Sequence, residues 1–130
     1  MLQKENIKIF VRETLGCECP EKVFEFIDIQ HYIKLNSEVL INDKINVGNR
    51  LLIYVIEIHN SKFIKSNLSK LISSGKDERD KNGFNRFRLA IVTDKMNEIK
   101  QISQMAFENI KDKDEKIHIH LINRNEIAIL

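Results

Sequence analysis

The eight residues LLIYVIEI at 51–58 constrain this chain more than any other stretch. They are apolar at nearly every position and rich in β-branched side chains. A half-exposed strand alternates polar and apolar residues, so an unbroken run of this length predicts a central strand covered on both faces. The residues after it supply one cover. Residues 61–73 carry Ile64, Leu68, Leu71 and Ile72 at helical spacing, with Gly75 as the closing signal. A second apolar strand, FRLAIVT, follows at 87–93. A helix over 95–111 then places Ile99, Ile102, Ala106 and Ile110 on one stripe, with Asp94 as its N-cap. KIHIHLI at 116–122 makes a third strand, and Asn123-Arg124-Asn125 turns into a last short strand at 126–130. Strands alternating with helices predict parallel pairing through right-handed crossovers.

The first third of the chain reads differently. Ile7, Phe10, Val11 and Leu15 share one face of a helix over 3–15, stopped by Gly16. Pro20 and Glu21 suit the first turn of a short helix over 20–27. The period then drops to two at Ile27, Ile29, Ile33 and Leu35. Val39–Ile41 reads as a short strand turned by Asn42-Asp43, and Ile45 and Val47 lead to a turn at Gly48-Asn49. The expected fold is α/β: a three-layer mixed sheet of about five strands, with a parallel βαβαβ core, antiparallel N-terminal strands and a helical N-terminus. With 130 residues, 42% of them hydrophobic, residues 1–130 fit one domain with a sizeable core. GKDERDKNGFN at 75–85 reads as a solvated loop.

Charge and hydropathy remove several classes. Charged residues make up 31% of the chain, but the signs are mixed and the net charge is +2, so nucleic acid is not indicated as a partner. The apolar run Leu51–Ile56 is too short to span a bilayer, and the opening MLQKENIK has no apolar signal core. A cytoplasmic location without membrane attachment is expected, with Cys17 and Cys19 as reduced thiols rather than a structural bridge. Gly48, Gly75 and Gly83 stand isolated, so there is no phosphate-cradling loop, and no nucleophile elbow is present. Arg86-Phe87-Arg88, with Phe84, reads as the start of a strand after a charged loop.

Three constellations carry possible chemistry. In Thr14-Leu15-Gly16-Cys17-Glu18-Cys19-Pro20-Glu21, two thiols lie two residues apart before an expected helix. A helix N-terminus favours negative charge and lowers a thiol pKa. Such a pair suits soft-metal ligation or redox exchange, while a bridge across one residue is strained and easily reduced. Packing at a helix junction is the plainer reading of the same residues. His118 and His120 point to one face of a strand. Together with Cys17 and Cys19 they form a candidate metal set for zinc; alone they form a polar strand face. The third constellation is positional, because open α/β sheets bind ligands beyond the carboxyl ends of their strands. Glu57, His59 and Asp94 are the candidate ligand-binding residues there, with Asn60, Thr93, Asn123 and Arg124 beside them. Capping explains Asn60 and Asp94 equally well.

The stretch V-R-E-T-L-G-C-E-C-P-E-K-V-F, Val11 to Phe24, and G-N-R-L-L-I-Y at 48–54 resemble segments of small uncharacterised proteins of methanogens and other anaerobes, which share a T-L-G-C-x-C-P-x-x-V-F signature. The resemblance covers a small part of the chain and implies an anaerobic, reducing cytoplasm in which an iron–sulfur cluster or thiolate site is at home; it carries no activity with it. The element order also resembles the restriction-endonuclease-like core, which implies a metal-binding acid pair at Asp43 and Glu57-Ile58-His59. His59 stands where that pattern has lysine, and Asn42 where it has proline. Three readings follow: a Cys17/Cys19 site for metal, cluster or disulfide exchange; an interaction module for another protein or a second copy of the chain; and a small-molecule or nuclease-like enzyme acting at the strand ends.

Overall fold

The computed structural model describes residues 2–111 and 113–126. Helix α1 spans Leu2–Ile9 and continues as a π-helical turn, Phe10–Thr14. A 3-10 turn, Glu21–Glu25, precedes strands β1 (Ile27–Lys34), β2 (Leu40–Val47) and β3 (Leu51–Glu57). Helix α2 (Ser61–Asn82), β4 (Arg86–Thr93), α3 (Met96–Glu108) and β5 (Ile117–Asn123) complete the order, followed by a 3-10 turn at Arg124–Glu126. The strand expected at 126–130 falls almost wholly outside the described residues; Glu126 itself ends that turn.

The five strands form one mixed sheet in chain order, β1-β2-β3-β4-β5. β1, β2 and β3 pair antiparallel, and β3, β4 and β5 pair parallel. From Leu51 to Ile56, β3 is buried at every position, as its sequence requires. Leu52, Tyr54 and Ile56 face a cluster with Ile64, Leu68, Leu71 and Ile72 of α2 and Ile99 of α3. Ile53 and Val55 face the opposite cluster, with Ile7, Phe10 and Val11 of the N-terminal helical segment. At roughly 1.5–3 kcal/mol for each fully buried large apolar side chain, these two clusters hold the sheet from both sides.

Several expectations change. Asn42-Asp43 is not a turn: β2 runs through it, because Asp43 pairs with both His31 and Val55. The reversal lies at 35–39, where Asn36 Oδ1 accepts from the backbone N–H of Glu38 and Val39. Nor do the four apolar residues of the first strand share one cover. Ile27 and Ile29 pack on the α1 side, and Ile33 and Leu35 on the α2 side. The switch falls at Tyr32, whose φ is 54°.

The largest revision concerns 75–85. Helix α2 does not stop at Gly75 but runs to Asn82, with Gly83 as its C-cap, so most of the expected loop is helix. Gly75 sits inside the helix because the Phe87 ring fills the space where its side chain would be. Arg79, 5% exposed, anchors the added turns through Asp114 Oδ1 at 2.9 Å and Asp80 at 2.9 Å. The expected helix over 20–27 reduces to a 3-10 turn. Asn60 caps α2 as expected, its side chain accepting from the Phe63 N–H at 2.8 Å. Asp94 does not cap α3: the N-cap is Lys95, without a side-chain cap, and its own N–H donates to Thr93 Oγ1.

A candidate thiol site in an arginine-lined cleft

The chain leaving the N-terminal helical segment turns at Gly16 and runs without regular structure to Pro20. The Leu15 and Cys17 N–H groups donate back to Phe10 and Val11. Arg12 fixes the far end: its Nη2 donates to the Cys19 carbonyl at 3.1 Å, its guanidinium lies 4.9 Å from the Phe24 ring centre, and it pairs with Glu21. The chain bends between Cys17 and Cys19, so that their Cα atoms lie 5.3 Å apart and the sulfurs are joined in a disulfide. Reduced thiols are expected from the sequence; the structure corrects this, because the segment's geometry brings the pair within bridging range. Both residues are half-buried, not sealed in the core.

The disulfide borders a cleft of about 440 Å³. Arg50, in the β2–β3 turn, and Arg86 and Arg88 on β4 also line it, with Asn85. Gly48 lets the turn approach closely. Its φ is 63°, and a Cβ there would lie 2.6 Å from the Val23 carbonyl oxygen. Arg86 and Arg88 share the strand face of Ala90 and Val92, which is the α1 side.

The charge arrangement distinguishes this cleft. The chain has six arginines. Arg12, Arg79 and Arg124 each pair with a carboxylate. Among the described residues Arg50, Arg86 and Arg88 pair with none, and all three line this cleft. Burial, and then repulsion from Arg86, lowers the pKa of Arg88. Its Nη1 lies 3.5 Å from His120 Nε2. Burial, with the charges of Arg88 and His118, pushes the His120 imidazole down to about 4, so Arg88 meets a neutral ring rather than a counter-ion. Glu18, exposed, also lines the cleft.

The four donors of the candidate zinc set are only partly assembled. Cys17 and Cys19 are joined; His120 is half-buried beside Arg88, and His118 is exposed. Among the described residues no three His, Cys, Asp or Glu side chains converge as a metal set. Zinc or an iron–sulfur cluster would need the reduced pair and donors from beyond these residues.

The strand-end residues form a separate group. Arg124 donates to Glu57 Oε2 at 3.0 Å, and His59 Nε2 lies 3.8 Å from the same oxygen. Asp94 is exposed and apart from them. Glu57 also borders a second cleft, about 280 Å³, with Asp43, His31, Tyr32 and Asn42. Neither His59 nor Asp94 lines it. His31 Nδ1 lies 2.5 Å from Asp43 Oδ1. Each carboxylate thus already faces a basic partner.

The sequence pointed to the cysteines but not to Arg50, Arg86 and Arg88 as their neighbours. The available signal was Arg-Phe-Arg, whose period of two sends both guanidiniums to one face. Comparison with family models, curated proteins and solved structures gives no match. Among the described residues no helix is long and apolar enough to cross a membrane.

Proposed function

We propose that this three-layer α/β domain carries a thiol–disulfide exchange site at Cys17 and Cys19, working in the cytoplasm. One observation carries the reading: the bridged Cys17 and Cys19 line a cleft together with three arginines that have no carboxylate partner among the described residues. Uncompensated positive charge favours the thiolate, the nucleophilic form in exchange. The expected helix N-terminus is replaced in that role by guanidiniums. A bridge spanning one residue and accessible from solvent belongs with labile disulfides rather than structural ones. The exchange partner is a small molecule, another protein or a second copy of the chain. The test is equilibration of the purified protein in graded ratios of reduced and oxidised dithiothreitol, with thiols counted by alkylation and mass. Reversible gain and loss of two thiols is expected, and neither Cys17→Ser nor Cys19→Ser forms the internal bridge. Thiols that stay unreactive in folded protein for hours overturn the reading.

A second reading has its own support. The helix, three-stranded meander, helix and parallel strand occur in the order of the restriction-endonuclease-like core, and Asp43 and Glu57 border one cleft. Engagement of Asp43 by His31 and of Glu57 by Arg124 ranks it below the thiol site. Stabilisation against heat by Mn²⁺, lost in Asp43→Asn, would reverse that order.

A further inference from the structure

We propose that the cleft beside Cys17 and Cys19 takes a small disulfide, or the thiol derived from it, bearing two or more carboxylate or phosphate groups. The proposal rests on the exchange reading above and adds the substrate class. Three arginines without carboxylate partners among the described residues line one cavity, with Glu18 as its single acidic lining residue, while the other three arginines of the chain pair with carboxylates. Guanidiniums present paired N–H donors that match carboxylate and phosphate oxygens. Burial, and after it repulsion from Arg86, lowers the pKa of Arg88, and an anionic occupant relieves that repulsion. Asn85 adds an uncharged polar group to the same wall, and the neutral His120 ring stands behind Arg88. At about 440 Å³ the cleft has the size of a small-molecule site.

The step balances within the two reactants. In the reduced protein one cysteine thiolate attacks a sulfur of the bound disulfide, forming a mixed disulfide and expelling one substrate thiolate. The second cysteine thiolate then attacks the protein sulfur of that mixed disulfide, closing the Cys17–Cys19 bridge and expelling the second. Two electrons pass from the protein dithiol to the substrate, and the two cysteine protons end on the released thiols. The same steps run in reverse when the protein disulfide oxidises two substrate thiols.

The experiment compares oxidation rates of the reduced full chain by five disulfides at low ionic strength: 3,3′-dithiodipropionate, oxidised glutathione, coenzyme A disulfide, neutral 2-hydroxyethyl disulfide and cationic cystamine. Each rate is divided by that disulfide's rate with free dithiothreitol. The anionic disulfides should exceed the neutral one by about tenfold, as electrostatic steering into a charged cleft does, and cystamine should fall below it. The advantage should shrink in 0.5 M salt and in Arg50→Gln, Arg86→Gln or Arg88→Gln, read as the anion-to-neutral ratio so that altered thiol reactivity cancels. Whether the coenzyme A compound or the two carboxylate compounds lead tells phosphate from carboxylate recognition. Equal normalised rates for all five overturn the substrate class and leave the exchange reading standing. No exchange with any of them overturns both. The wild-type comparison decides even where a variant fails to fold.

Discussion

Substituting Gly75→Ala tests the packing that carries α2 past its expected end. In an open helix this change stabilises by about 1 kcal/mol. Here the added Cβ would lie 2.1 Å from Phe87 Cζ and 2.3 Å from Cε2, against an ordinary carbon contact of about 3.5–4 Å. The ring must therefore recede by more than about 1 Å. Phe87 is fully buried and meets Tyr54 edge-on, with ring centres 4.8 Å apart. Tyr54 is itself held by a hydroxyl hydrogen bond of 2.5 Å to Glu78. Burial and that acceptor push its phenol pKa above the usual range. A displaced Phe87 ring thus disturbs a partly buried hydrogen bond as well. Overpacking of this kind costs about 1–3 kcal/mol. With both ring and tyrosine constrained, we take the upper end, about 3 kcal/mol, which leaves a net loss of about 2 kcal/mol after the gain in helix propensity. Urea unfolding followed by circular dichroism should show a lower midpoint with an unchanged slope. Adding Phe87→Leu, which frees space, should recover at least about 1 kcal/mol of the Gly75→Ala loss as a coupling energy. Gly75→Ala protein as stable as the parent, or more so, would refute the tight contact.

Two further predictions concern charge. Arg79→Met should destabilise by about 2 kcal/mol. That is below the usual cost of breaking a buried pair, since Asp80 and Asp114 keep access to water. The same change should return the Asp114 carboxyl, held down to about 2 chiefly by Arg79, to its ordinary range, as ¹³C NMR titration would detect. His120 titrates near 4 in the fold against about 6.5 in the unfolded chain. A lowered imidazole pKa means that the unfolded state binds the extra proton first. Its contribution is therefore full above about pH 6.5 and is lost as pH falls toward 4. The full shift corresponds to ~3 kcal/mol; solvent screening of a partly exposed ring reduces the expectation to about 1–2 kcal/mol. Denaturant midpoints measured from pH 7 to pH 4 should decline in the parent and decline less in His120→Gln. Equal declines would sink the assignment.

What was legible in the sequence follows the range of the interactions. β3 was readable because burial on both faces leaves its mark on every residue from 51 to 56, and the Asn60 cap because its partner lies three residues away. The continuation of α2 was hidden because a glycine after an apolar helical stripe reads as a stop. What makes it a helix interior is an aromatic ring twelve residues on, and what anchors the next turn is Asp114, thirty-five residues on. The site divides in the same way. The closeness of Cys17 and Cys19 is local and was visible as a spacing, though read as free thiols and not as the bridge the structure has, whereas the rest of the lining is gathered from Val47, Arg50 and Leu51 and from Asn85, Arg86 and Arg88. The small net charge of +2 weighs against extended anionic partners only as an average over the chain. Three arginines are cancelled by carboxylates close to them, and the three that have no such partner among the described residues line one cavity. A chain can be nearly neutral as a whole and strongly cationic at one place, and only the fold reveals which arginines are left over.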